Sequence, residues 1–171
     1  MNPDRARWNA KYAKTGHDLP SIPLLRYQGR LAKGRALDVA GGLGESAAVL
    51  ALAGWTVTLV DLSEVAVSRA RARARELKAD LHVVHADARR LPFRGPFETI
   101  VVARFLDRSL AGDLTRLLAP GGTLFCEQPM TGIPPDYCIG VGEFPRLYPD
   151  LEVLLDTSEG DCAVFIGRKR P

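Results

Sequence analysis

Three aspartates are tied to short apolar runs that could end side by side: Asp38 within ALDVA, Asp61 closing WTVTLVD, and Asp87 following LHVVHA. An ionised carboxylate only accepts hydrogen bonds, so a trio of this kind suits a ligand that offers a cation, a pair of hydroxyls and an amino group. Between the first two lie Ala40, Gly41, Gly42 and Gly44, small residues that let a ligand approach the backbone. A helix beginning near Glu45 would turn its free amides toward the same place. The run Gly42-Leu43-Gly44-Glu45-Ser46-Ala47 also satisfies the G-x-G-x-x-A dinucleotide pattern, with Asp61 nineteen residues beyond Gly42. Asp61 would serve a ribose diol in either case. Asp38 and Asp87 separate the readings, since a dinucleotide site usually carries an aliphatic residue in the first strand and has no use for an acid at the third strand end. The chain also lacks a Tyr-x-x-x-Lys pair for hydride chemistry.

These residues need elements that bring them together. Apolar runs ALDVA, WTVTLVD, LHVVHAD, ETIVVARFL and TLFCEQ alternate with helical stretches near Glu45 to Leu52, Ser63 to Leu77 and Leu110 to Leu118. Nearly continuous apolar strands separated by helices predict a parallel sheet covered on both faces. The last two runs, LEVLLDTS and DCAVFIGRK, are joined by Glu159-Gly160 without room for a crossover helix and are expected to pair antiparallel. Asp4 to Lys14 reads as a helix carrying Trp8 and Tyr12 on one face. A second helix is expected over about Leu24 to Leu31, and a Pro-Gly-Gly turn at Pro120 to Gly122 before the fifth strand.

The 171 residues suit one domain, 1-171, with a helical lid over 1-32 and a loop or short helix over 129-146 bordering a second ligand. A net charge of +3, spread among acids, gives no footprint for nucleic acid; Arg69, Arg71, Arg73 and Arg75 read as a solvated helix surface opposite Ala66, Val67, Ala70, Ala74 and Leu77. Three cysteines without CxxC spacing argue against a disulfide framework or a zinc site, and His82 and His85 in a strand do not form a metal pair. No signal peptide or membrane span is read, so a cytoplasmic protein, monomer or homodimer, is expected.

The set D-x-A-x-G-x-G at Asp38 to Gly44, Asp61, Asp87-Ala88 and the Pro-Gly-Gly turn before TLFCEQ resembles the successive motifs of class I S-adenosylmethionine-dependent methyltransferases. Trp8-x-x-Lys11-Tyr12 and FLDRSL are similar to the small tellurite-resistance-type branch, close to methyltransferase types 11 and 12. The resemblance implies a doubly wound, mostly parallel seven-stranded Rossmann-like α/β sheet with its last strand antiparallel. It also implies roles. Asp38 and Ala40 to Gly44 would line the methionine moiety, Asp61 and Leu62 the ribose and adenine, and Asp87 and Ala88 the adenine edge. Ala103 and Arg104 would border the sulfonium, with Trp8 and Tyr12 in a covering lid. The family's first loop glycine is Ala40 here, a methyl small enough to keep cofactor binding. The expected activity is in-line methyl transfer to a small-molecule acceptor; the alternatives are an NAD-dependent oxidoreductase and a cofactor-binding module without turnover. Asp107, Glu127, Tyr137 and His17 are the base candidates, with none assigned as catalytic.

Overall fold

The computed structural model describes residues 3–16 and 18–171; His17 lies outside the described residues. Seven strands form one sheet in the order β3-β2-β1-β4-β5-β7-β6. In chain order these are β1 (Arg35–Val39), β2 (Thr56–Asp61), β3 (Leu81–His85), β4 (Phe97–Ala103), β5 (Leu118–Pro129), β6 (Leu151–Glu159) and β7 (Cys162–Lys169). The first five run parallel, β7 is antiparallel to β5, and β6 is antiparallel to β7. The doubly wound sheet and its closing antiparallel hairpin are as the alternating runs predict.

Side-chain alternation sorts each strand between two cores. On one face Ala36, Leu59, Val101, Phe125 and Val164 pack with Leu24 from α2 (Ile22–Tyr27), with α3 (Glu45–Leu52), and with Ala70 from α4 (Glu64–Leu77). On the other, Leu37, Val60, Val102, Cys126 and Phe165 meet α5 (Ala111–Leu117) and Phe144 of α6 (Glu143–Leu147). Buried on both sides, β1, β4 and β5 read as nearly unbroken apolar runs, whereas the edge strands β3 and β6 are only partly buried. The helix α1 (Pro3–Lys14) is different: none of its residues is buried, and it lies against α4 rather than in either core.

The boundaries move where backbone geometry overrides the apolar pattern. β4 stops at Ala103, because Arg104 takes a left-handed φ of 58° and turns the chain before Phe105. The Pro-Gly-Gly unit does not precede β5. It forms an irregularity inside the strand, where the pairing of β4 with β5 shifts between Phe97 and Thr99. Gly121 there has φ 75°, and a methyl on Gly122 would lie 2.9 Å from the Ala119 carbonyl, which explains the two glycines. The second helix is also shorter than expected, giving way after Tyr27 to a 3-10 turn. Leu77, placed by its helical period on the buried face, is 40% exposed as the last residue of α4.

Candidate functional site

The register of the parallel strands places Asp38 opposite Leu59 of β2 and Val101 of β4, and Asp61 two residues past Leu59. Both acids therefore share the face occupied by α3 and α4, at the carboxyl edge of the sheet. Beyond β1 the chain enters the glycine loop with Ala40 at φ 54°, Gly42 at φ 57° and Gly44 at φ 81°, the last preceding α3. A Cβ on Gly41 would come within 2.6 Å of Asp38 Oδ2 and 2.7 Å of Leu59, so only hydrogen fits there.

Asp61 closes the loop from the next strand. Its Oδ2 accepts the Gly42 N–H at 2.9 Å and its Oδ1 the Ser63 N–H at 2.8 Å. Burial pushes its carboxyl upward, and these backbone donors pull against that. Asp38 has no such help. It is 2% exposed and its Oδ2 has no hydrogen-bond partner among the described residues. Burial, then the charges of Asp61 and Glu45, raise its carboxyl from 3.8 to about 7.

Over this floor lies α1. A Cβ on Gly42 would sit 2.7 Å from the Tyr12 hydroxyl, so that phenol covers the loop, and Trp8 stacks on Tyr12 with ring centroids 5.6 Å apart. Burial, followed by the acids Asp61, Asp18, Glu45 and Asp38, raises the Tyr12 hydroxyl and keeps it protonated. The face of Trp8 and Tyr12 is thus covered largely by their own stacking together with the glycine loop.

Two arginines of α4 hold this arrangement. Arg69 donates to the Tyr12 carbonyl at 2.9 Å and also reaches the carbonyls of Thr15 and Gly16. Arg73 donates to the Leu43 carbonyl and pairs with buried Glu45 at 2.6 Å. The reading of all four arginines as a solvated surface is therefore corrected for these two. Their helical positions flank the apolar stripe, and a long side chain there can reach a neighbouring loop. Asn9 adds a further tie from α1, accepting from the Ser63 hydroxyl at 2.7 Å.

The remaining predicted positions fall into two groups. Leu62 and Ala88 lie beside the strand ends, Ala88 buried, and the Leu62 carbonyl meets His85 Nε2 at 3.0 Å. Asp87 opens a 3-10 turn over Ala88–Arg90, accepting the Arg89 N–H at 2.9 Å. One of its oxygens thus does the structural work of a turn. Ala103 and Arg104 close β4 beside β5: Arg104 donates its N–H to the Glu127 carbonyl at 2.7 Å.

A family model described as a methyltransferase domain matches residues 36–122, half of the chain, covering the glycine loop and all three aspartate positions. The chain belongs to the methyltransferase domain family. Among curated relatives it is 35% identical over 154 residues to a ribosomal RNA small subunit methyltransferase G of Burkholderia thailandensis, covering 79% of this chain and 65% of that protein. The chain thus spans less than two thirds of that relative's length. Its fold matches TehB from Haemophilus influenzae with a TM-score of 0.77 at 18% identity, covering 97% of this chain and 67% of that one. It matches an S-adenosylmethionine-dependent methyltransferase from Aquifex aeolicus with a TM-score of 0.76 at 18% identity, covering 94% and 97%. Family membership decides between the two cofactor readings in favour of S-adenosylmethionine.

The methyltransferase domain fits that cofactor on its own geometry. A buried carboxylate with an unpaired oxygen suits the cofactor's ammonium. Asp61 still has lone pairs for a diol after accepting two amides, since an ionised carboxyl offers about four acceptor sites. The base candidates fare unequally. Asp107 accepts from Arg89, from the Ser109 N–H and from the Ser109 hydroxyl; although burial acts upward, these bonds hold its carboxyl below the ordinary range. It is committed to structure. Tyr137 is exposed, with its carbonyl accepting from Gln128 at 2.6 Å. Glu127 alone is buried with a free oxygen, Oε2.

Proposed function

We propose that this domain transfers the methyl group of S-adenosylmethionine to a small-molecule acceptor by in-line displacement. The observation that carries the reading is the buried, unpartnered oxygen of Asp38, on one face with Asp61 at adjacent strand ends above a loop that admits only small residues. When bound, S-adenosylmethionine supplies a methyl group already activated on a sulfonium, a leaving group that needs no protonation. The protein's share is alignment and the exclusion of water. Asp38 would accept the ammonium, with Ala40, Gly41, Gly42 and Gly44 against the methionine moiety. Asp61 would accept the ribose hydroxyls and Leu62 would border the adenine, with Asp87 and Ala88 at its edge. Ala103 and Arg104 would flank the reacting side, while Trp8 and Tyr12 keep solvent out.

The acceptor is read as small because the strands are joined by short connections without an inserted recognition domain, and because the charges are dispersed. No helix among the described residues is long and apolar enough to cross a membrane, and the acceptor is not taken to be membrane-embedded. A relative named for ribosomal RNA supplies the competing acceptor class. Titration calorimetry with S-adenosylmethionine and with NADH tests the cofactor: binding of the first alone supports the reading, and binding of NADH alone refutes it. Mass spectrometry of mixed acceptors tests the rest. Methylation confined to ribosomal RNA would displace the small-molecule acceptor.

A further inference from the structure

We propose that Glu127 docks the methyl acceptor through a nitrogen-borne hydrogen, so that the acceptors of this domain are amines or amidines. The inference rests on the methyltransferase reading and deepens it. Glu127 sits at the carboxyl end of β5, opposite Ala103 in β4 and Val164 in β7. Alternation puts it on the same face as Phe125 and therefore on the face of Asp38 and Asp61. Strands are spaced about 4.8 Å apart, so β5 lies about 10 Å across the sheet from β1. The β4 side chain beside Glu127 is the methyl of Ala103, whereas Val101 of β4 lies beside Asp38, so β4 sets no large group directly against Glu127.

The carboxylate is 2% exposed, and its partners are incomplete. Oε1 meets Arg104 Nε at 3.4 Å, a long contact from a guanidinium whose side chain is 54% exposed. Oε2 has no partner among the described residues. A buried acceptor left without a donor is costly, and natural structures rarely retain one without a reason. Asp38 shows the same signature where the cofactor's ammonium is proposed to sit. Glu127 repeats it on the same face, two strands across and two residues nearer the carboxyl edge, on the side away from the adenosine-binding strands β2 and β3.

An amine or amidine supplies what Oε2 lacks: a donor that forms a charge-assisted hydrogen bond with a buried carboxylate. An acceptor presenting only a carboxylate or a thiolate at this point would face a like charge. Close by on this face, Cys162 pairs with Pro129 two residues beyond Glu127 and offers no cation. Among the described residues, Arg104 is the only cation brought to Glu127, and it reaches one oxygen.

The test uses the full chain and a panel of primary amines, amidines, phenols, alcohols, thiols and carboxylates, read by release of S-adenosylhomocysteine and by mass. The productive acceptors are expected to carry an N–H donor. Their binding to the protein saturated with S-adenosylhomocysteine, followed by calorimetry, should weaken at least tenfold in Glu127→Gln, with KM rising in parallel. Affinity for S-adenosylmethionine should stay within twofold. Productive acceptors lacking nitrogen, no active amine, or an unchanged KM in Glu127→Gln would each overturn the assignment. If Glu127→Gln does not fold, the class preference of the unaltered protein decides alone. Failure of the unaltered protein to bind S-adenosylmethionine would instead bring down the cofactor reading, and this inference with it.

Discussion

If Asp38 receives the cofactor's ammonium, cofactor affinity must depend on pH in a direction set by the burial of that acid. In the free protein its carboxyl is raised to about 7, chiefly by burial. A cation bound beside it favours the ionised form, so binding below neutrality must first expel a proton. For a bound-state value well below 5.5, the affinity at pH 5.5 should be about 25-fold weaker than at pH 7.5, or about 2 kcal/mol. Titration calorimetry at several pH values measures the slope. Repeating it at pH 6 in buffers of different ionisation enthalpy counts the proton released, which should approach one. Asp38→Asn should flatten the slope and weaken binding at pH 7.5. The same acid makes a prediction for folding. Its folded value lies above the ordinary 3.8, so its contribution is fully present below pH 4 and lost as pH rises through about 7. The loss is at most about 4 kcal/mol. Asp38→Asn should therefore melt at a higher temperature than the unaltered free protein at pH 8 while binding cofactor worse. An affinity independent of pH, or uptake of a proton on binding, would refute the assignment of the ammonium to Asp38.

Asp61→Ala should weaken cofactor binding by roughly a hundredfold, as expected for two lost hydrogen bonds to a charged group. Because Asp61 also accepts the Gly42 and Ser63 amides, it should cost folding about 2 kcal/mol in denaturant titration. Unchanged affinity by calorimetry would exclude the ribose contact. Ala40→Gly should raise the melting temperature slightly, because φ 54° costs a non-glycine residue about 1 kcal/mol that glycine's greater chain entropy only partly cancels. A clear loss of stability would mean that the methyl packs usefully. Arg89 bridges Asp4 of α1 and Asp107 after β4, at 3.2 and 2.8 Å. Arg89→Ala should speed proteolysis within residues 3–14 while lowering overall stability by no more than about 1 kcal/mol, since the pairs are half-exposed. Added salt should produce the same acceleration in the unaltered protein, and indifference to both would remove the bridge as a tether for α1.

The sheet was legible because its central strands are buried on both faces, and burial is what an apolar run records. The antiparallel hairpin was legible because a two-residue link admits no crossover. Asp38 and Asp61 were legible because a carboxylate beside a strand end is expensive to place without a reason. What escaped are features fixed by contacts between distant segments. Nothing local in SRARARARELK distinguishes Arg69 and Arg73, which hold α1 and the glycine loop, from Arg71, which meets the Val83 carbonyl, or from Arg75. Glu127 was visible as an acid near a strand end, but only register and burial reveal its unpaired oxygen. Asp87 was read through the family's pattern, whereas the structure also gives it the ordinary task of opening a turn. For such residues, sequence supplies the side chain and three-dimensional proximity supplies the role.

Departures from comfortable chemistry gather at one edge of the sheet. Two of the three non-glycine residues with left-handed backbone among the described ones are Ala40 and Arg104, each directly following a strand, β1 and β4 respectively. Buried acids with unpaired oxygens, Asp38 and Glu127, lie on one face of the sheet near the same edge. Left-handed backbone persists only where the surroundings enforce it, and unpaired buried acceptors lower the stability of the free protein. The cost of the unpaired acceptors would be recovered by a ligand that is cationic at one end and presents donors along its length. An edge stabilised for its own sake would have placed glycine at residue 40 and amides at residues 38 and 127. The acids make sense as groups whose partners arrive from solution.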